Sequence, residues 1–263
     1  MTETFQIPIE IAEAYEATFV PALFAEWAGQ MLDAADVRPG QRVLDVACGT
    51  GVVARGAADR VGPTGGVTGL DLNPAMLEVA RRIRPELDWR QGDVAALPYG
   101  PASYDRVLCQ SSMMFFREPV AALRELGRVA KPDGLVAVQV PGRMESSDGY
   151  LRLLDVVARH AGTEATELLR GYFMYGDTDQ LRGMFRDAGL RVRDVVTRMA
   201  AVRRPTIDEF VTTEVSSTPL IERLTEQQLA QIVADSRTAL AGYASTGQGV
   251  AIPIEGHIVL AQP

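Results

Sequence analysis

The stretch VLDVACGTGVVARGAADR, Val43 to Arg60, joins a run of strand formers to a helical pattern through ACGTG, a segment with almost no side chain. Such a segment packs weakly by itself, so its backbone is read as lying against something else, and a ligand is the first candidate. A glycine-rich turn between a strand and a helix lets backbone N–H groups approach that ligand, and the helix N-terminus adds partial positive charge. Gly49, Gly51 and Ala54 meet the spacing GxGxx(G/A) of a dinucleotide-binding turn. Asp71 closes the next apolar run, about 20 residues beyond the glycines, where a carboxylate for ribose hydroxyls belongs. The competing reading of Asp71 is a cap for the helix that starts at Pro74.

Outward from this loop, short apolar runs alternate with helical patterns over residues 42–141, the mark of βαβ units around a parallel sheet. Strands are expected at Arg42–Ala47, Gly66–Asp71, Leu87–Gln91, Tyr104–Gln110 and Gly134–Val140, with helices near Val52–Arg60, Pro74–Ile83 and Pro119–Ala130. The last of these helices carries Val120, Leu123, Leu126 and Val129 on one stripe, behind Pro119 at a first helical position. Ile9–Ala35 also reads as helical, so residues 1–36 are expected to form a cap ahead of the sheet. Two helical inserts, 142–176 and 205–249, interrupt the later alternation. DGYLRLLDVVARHAG is expected to be a helix ending at Gly162, Asp177 with Gln180 opens another to Ala188, and Thr206/Glu209 and Thr225/Gln228 mark two more. Leu190–Arg198 and the closing VAIPIEGHIVLAQP read as strands. Ligands of an open α/β sheet bind beyond the carboxyl ends of its strands, so segments overhanging that end bear on substrate choice.

A formal net charge of −8 and a pI of about 4.9 present phosphate backbones with a repulsive average field, which argues against nucleic acid as a partner. The acidic start MTETFQIPIE lacks the pattern of a secretory signal, and no apolar run approaches the ~18 residues of a membrane span, so a cytoplasmic location is the default expectation. Cys48 and Cys109 stand far apart, without CxxC spacing or a nearby histidine, so neither a disulfide framework nor a metal site is expected. A small-molecule partner fits this composition; the oligomeric state cannot be read from it.

Taken in order, VLDVACGTG, VTGLDLNPAMLEVA, WRQGDVAALP, YDRVLCQSSMMFF and ALRELGRVAKPDGLVAVQV resemble the successive motifs of class I S-adenosylmethionine-dependent methyltransferases. Within that family they are most similar to the small-molecule branch that includes the ubiquinone- and menaquinone-type enzymes. The resemblance spans residues 42–141 and does not extend to the inserts. It implies a single α/β domain with a Rossmann-like class I methyltransferase sheet, mostly parallel with the last strand antiparallel. It also implies S-adenosylmethionine as cofactor, S-adenosylhomocysteine as its product, and methyl transfer to a small, largely apolar acceptor. By the resemblance, Asp45 and the loop of Ala47, Cys48, Gly49 and Gly51 would lie against the methionine part of the cofactor. Asp71 would accept both ribose hydroxyls, Leu72 and Met76 would flank the adenine, and Asp93 with the Val94 backbone would bind its edge. Gln110 would sit near the transferred methyl group. The family loop often begins with glycine where this chain has Ala47. Read without the resemblance, Asp93 also suits a helix cap and Met76 ordinary packing.

Methyl transfer from a sulfonium is an in-line displacement in which alignment alone lowers the barrier by up to ~7–11 kcal/mol, so little acid–base equipment is required. His160, at a helix end before Gly162, is read as complementing the helix dipole. His257 follows Glu255 by two residues and shares its strand face, so His257 is expected to be a general base oriented by Glu255, with a purely anchoring pair as the alternative. Tyr15 and Phe19, with Tyr172 and Tyr175 from GYFMYGD, are expected to line an acceptor cover, core packing being the alternative. Two other function classes remain open on the residues alone. One is an NAD-dependent oxidoreductase, from the glycine spacing but without a YxxxK-like pair. The other is a cofactor-binding scaffold without turnover.

Overall fold

A computed structural model describes residues 7–263, so the first six residues of the expected 1–36 cap lie outside the described part. Two compact units divide the chain. The first comprises Met1–Val140, Thr178–Arg198 and His257–Pro263; the second comprises Pro141–Asp177 and Met199–Gly256.

The strands β1 (Arg42–Val46), β2 (Gly66–Asp71), β3 (Asp88–Gln91), β4 (Tyr104–Gln110) and β5 (Ala130–Pro141) alternate with α3 (Val52–Val61), α4 (Pro74–Ile83) and α5 (Pro119–Val129). Ahead of them stand α1 (Ile9–Ala14), a π-helical stretch Tyr15–Phe24 and α2 (Ala25–Ala34). With β6 (Arg191–Arg204), β7 (Ala244–Ser245) and β8 (Gly249–Gln262), the sheet order is β3-β2-β1-β4-β5-β8-β6, with β7 paired to β8. The pairs β1–β2, β1–β4, β2–β3 and β4–β5 are parallel. β8 runs antiparallel to β6 and β7: Arg191 of β6 bonds Gln262, Thr197, further along β6, bonds the earlier His257, and Ala244 of β7 pairs with Val250. The mostly parallel Rossmann-like sheet with its last strand reversed is thus the expected one.

Register fixes which side chains share a face. Val43 pairs with Val67, and Asp45 with Gly69 and Leu108, so Asp71 and Gln110, two residues further along their strands, share the Asp45 face. Gln139 joins them as the partner of Gln110. Below these polar ends the same face is apolar. Val43, Leu108, Ala137 and Ile258 pack there with Met31 and Leu32 of α2, Val53 and Ala57 of α3, Leu77 of α4, and Trp89. Each such side chain taken wholly out of water contributes ~1.5–3 kcal/mol, which holds the helices on the sheet. The stripe read on α5 behaves as expected, with Leu123, Leu126 and Val129 buried.

Several boundaries differ from the sequence reading. β1 stops at Val46 because Ala47 takes a left-handed conformation, φ +54°. β5 begins at Ala130 rather than Gly134, with an irregular register between Tyr104 and Arg106 opposite it. β6 runs to Arg204. The N-terminal helix contains ten π-helical residues around Pro21, a form that periodicity of 3.6 does not reveal and that is rare beyond a single turn.

In the second unit, α6 (Asp148–Ala161) ends at Gly162, φ +85°, as expected, but a further helix, α7 (Thr163–Arg170), follows directly. Downstream, α9 (Ile207–Ser216) starts at Thr206, whose hydroxyl accepts the Glu209 N–H, and α10 (Glu226–Ala239) starts with a complete reciprocal Thr225–Gln228 capping box. α10 packs on α6 and α9. His160 Nε2 lies 2.9 Å from Asp235, and the His160 carbonyl accepts from Gln228, so this histidine ties α6 to α10. Between the two segments of this unit, α8 (Thr178–Asp187) belongs to the first unit.

Candidate active site

The loop after β1 has left-handed backbone at Ala47, Gly49 and Gly51, with φ of +54°, +54° and +86°, a conformation that glycine takes without strain and alanine does not. A side chain at Gly51 would sit 2.3 Å from Trp89, whose indole N–H donates to the Arg84 carbonyl and so cannot swing away freely. A side chain at Gly69 would run into the same ring, so Trp89 forms the floor on which the loop rests. Gly51 is therefore required by packing, whereas above Gly49 the nearest atoms belong to the Tyr15 ring, 3.8–3.9 Å from where a Cβ would be. Cys48 is buried against Gly69, and burial pushes its thiol well up, so it stays protonated.

Two carboxylates organise the loop. Asp71 accepts the Gly49 N–H at 2.8 Å through one oxygen and the Asn73 N–H at 2.8 Å through the other, joining the ends of β1 and β2. The capping role at α4 belongs to Asn73, whose side chain accepts the Ala75 N–H, which removes the competing reading of Asp71. Asp45 is fully buried and accepts the Ala54 N–H at 2.9 Å, in the first turn of α3. It thereby takes one of the first-turn N–H groups of α3 that a pyrophosphate would use. Burial raises both carboxyls above their ordinary range, Asp45 to about 8, and the neighbouring Asp71 charge adds to the rise at Asp45. This is a site short of positive charge. It suits a cationic ligand and opposes a diphosphate.

The other site residues expected from the sequence divide. Leu72, next to Asp71, is exposed, and Met76 on α4 is partly buried, leaving apolar surface beside the Asp71 carboxylate. Asp93 accepts the Ala95 N–H at 2.9 Å and caps the turn that starts at Val94, so its capping reading is realised. Gln110, at the end of β4, donates from Nε2 to the Phe24 carbonyl of the π-helical stretch. Tyr15 stacks on Phe19 and Phe24, and its phenol is pushed up by burial and by the Asp71, Glu16 and Asp45 carboxylates. The Glu16–Arg55 ion pair holds this stretch to α3, and Glu13–Arg82 holds the preceding α1 to α4. Tyr15 thus meets the glycine loop, with Phe19 stacked on it, while Tyr172 and Tyr175 belong to the second unit, where the Tyr172 hydroxyl donates to the Ser217 carbonyl.

The structure does not bring His257 to the loop. Ile258 lies in the core cluster with Leu108, so strand alternation turns His257 to the face opposite Asp45, Asp71 and Gln110. Its ring is buried, with Nδ1 3.0 Å from the Thr197 hydroxyl. Glu255 is placed by its backbone: its carbonyl accepts the Gly142 N–H and its N–H donates to the Ser147 hydroxyl. Sequence reasoning passed over Thr50, Ser111 and Gln139. Thr50 and Gln139 are buried polar residues in apolar surroundings, and Ser111 has φ +49°, a conformation that no local motif announced.

Residues 43–134 match a methyltransferase domain family. A demethylmenaquinone methyltransferase of Renibacterium salmoninarum is 34% identical over 173 residues, covering 62% of this chain and 72% of that protein. The chain belongs to the class I S-adenosylmethionine-dependent methyltransferases. This methyltransferase is also similar to the nocamycin O-methyltransferase of Saccharothrix syringae, 36% identical over 156 residues, 56% of this chain and 55% of the relative's length. Among solved structures, the YcgJ protein of Bacillus subtilis shares its fold, with a TM-score of 0.60 and 20% identity over 89% of this chain and 96% of that one. The family membership agrees with the charge of the site and gives no support to an oxidoreductase or a scaffold. No described helix of the methyltransferase is long and apolar enough to cross a membrane.

Proposed function

We propose that this enzyme binds S-adenosylmethionine at the glycine loop and methylates a small, largely apolar acceptor of the demethylmenaquinone or nocamycin kind. The observation that carries this reading is the pair of buried acids at the loop: Asp45 accepts an N–H from the first turn of α3, and Asp71 accepts the Gly49 N–H while keeping lone pairs for ribose hydroxyls. The cofactor is cationic at its sulfonium and ammonium groups, so it fits where a pyrophosphate does not. Further support comes from the buried Thr50 Oγ1 and Gln110 Oε1, which have no protein partner.

When bound, S-adenosylmethionine supplies an electrophilic methyl group and leaves as S-adenosylhomocysteine. Asp71 retains lone pairs beyond its two backbone donors and is the residue to receive ribose hydroxyls, with Leu72 and Met76 as apolar neighbours for the adenine. Asp45 holds α3 to the loop, and a cation bound beside it would favour release of its proton. Tyr15, with Phe19 stacked on it, lies against the loop at Gly49 and keeps water from the electrophile. None of these residues is a ready general base, and His257 faces away, so rate enhancement rests on alignment and on exclusion of water. Incubation with demethylmenaquinone and S-adenosylmethionine, followed by mass spectrometry of the products, tests the reading. A methylated quinone with S-adenosylhomocysteine supports it. No product from any apolar hydroxylated acceptor, in a protein that still binds S-adenosylhomocysteine, overturns the acceptor class.

A further inference from the structure

Gln110 and Gln139 are register partners on β4 and β5, so their side chains leave the sheet side by side, about 4.8 Å apart at the backbone. Both sit at the carboxyl ends of their strands, on the face that carries Asp45 and Asp71. Both are buried, at 9% and 0% exposure. Each amide is half used. Gln110 donates through Nε2 to the Phe24 carbonyl, an acceptor only, which fixes that amide's orientation and leaves Oε1 buried without a partner. Gln139 Oε1 accepts the Ser111 hydroxyl at 2.6 Å, and its Nε2 is buried without a partner. Ser111 is itself held by its N–H to the Gln139 carbonyl at 2.9 Å, in a left-handed conformation. The loop beyond it is tied to the glycine loop through the Ser112 hydroxyl, which donates to the Ala47 carbonyl.

A buried amide edge without a partner is costly, and two on neighbouring strands, one acceptor and one donor, are rarely accidental. Together they match a hydroxyl group, which gives its hydrogen to one and takes a hydrogen from the other. We propose that Gln110 Oε1 and Gln139 Nε2 form the polar anchor of the acceptor site and bind a hydroxyl of the methyl acceptor. This rests on the methyltransferase reading above and narrows it to a hydroxyl-bearing acceptor such as a phenol, hydroquinone or enol. The π-helical stretch supplies the Phe24 carbonyl that accepts from Gln110 Nε2, so it is the element that keeps Oε1 free for the acceptor.

The test uses 1,4-dihydroxynaphthalene as hydroxylated probe and the protein saturated with S-adenosylhomocysteine. The Gln139 side-chain amide resonance is assigned by its loss in Gln139→Leu. The proposal expects this resonance to move on adding the probe, and not on adding naphthalene. It also expects Gln139→Leu to weaken probe binding at least tenfold while S-adenosylhomocysteine affinity stays within twofold. An unmoved resonance, or probe binding unchanged in Gln139→Leu, overturns it. So does a parallel loss of S-adenosylhomocysteine affinity in that variant, which would place the pair at the cofactor. Failure of the wild-type protein to bind S-adenosylhomocysteine at all would instead strike at the methyltransferase reading. Should Gln139→Leu not fold, the resonance is assigned through Gln139→Glu and the probe shift decides alone.

Discussion

Asp45 shows how one buried carboxyl shapes both chemistry and stability. Burial raises it to about 8, so between its ordinary value near 3.8 and 8 the folded chain holds a proton that the unfolded chain has released. The unfolded state binds fewer protons there, so this residue costs stability progressively as pH rises through that window and adds no further loss above it. Asp45→Asn keeps an oxygen for the Ala54 N–H and removes the charge. Thermal unfolding without ligand should therefore show the variant gaining on the wild type from pH 5 to pH 8; parallel curves would mean that Asp45 is ionised throughout. His257 carries the opposite lesson. Two residues after Glu255, it had the sequence appearance of an oriented base, yet the pleat turns it from the loop and Thr197 receives it. Its replacement by asparagine should leave turnover within about threefold of the wild type, since general-base loss would cost ~10² or more. A hundredfold fall in kcat with normal cofactor affinity would restore His257 as the base.

At the level of elements, the glycine loop is legible because packing and backbone both constrain it. Gly51 is left-handed and faces Trp89, so Gly51→Ala combines a backbone penalty of ~1–2 kcal/mol with an overpacking cost of similar size. Urea unfolding should register a loss of about 2–4 kcal/mol; a change under 0.5 kcal/mol would show that the ring yields. Strands and helices of residues 42–141 were readable because the strands are short runs buried almost throughout, while a helix such as α5 buries one periodic stripe. Ala47 was read as strand because alanine says nothing of a positive φ. The π-helical stretch was read as an ordinary helix because its residues are apolar nearly all round, which erases the period. α7 escaped notice because Gly162 marks the end of α6 and no cap residue announces the next start.

Across the whole molecule, the sequence pattern carries the cofactor side of the function further than the acceptor side. Asp45, the loop and Asp71 are consecutive in a βαβα unit and meet through neighbouring strands, so their order along the chain already implies their contact. The Gln110–Gln139 pair depends on register between β4 and β5, and nothing local in either segment distinguishes these glutamines from surface ones. The second unit is drawn from two separated segments whose aromatic residues are bound among themselves, Tyr150 against Phe173 and Phe210, so composition could not separate packing from ligand binding there. The reading of the site stands or falls with Asp71 as the holder of a ribose-bearing cofactor, beside an α3 first turn in which Asp45 already takes an N–H. Calorimetric titration of S-adenosylhomocysteine and of NAD into the wild type and into Asp71→Ala tests it most directly. The account predicts binding of S-adenosylhomocysteine and none of NAD, with at least a tenfold loss in the folded Asp71→Ala protein, about 1.4 kcal/mol. Equal S-adenosylhomocysteine affinity in that variant, or tighter binding of NAD by the wild type, would contradict it.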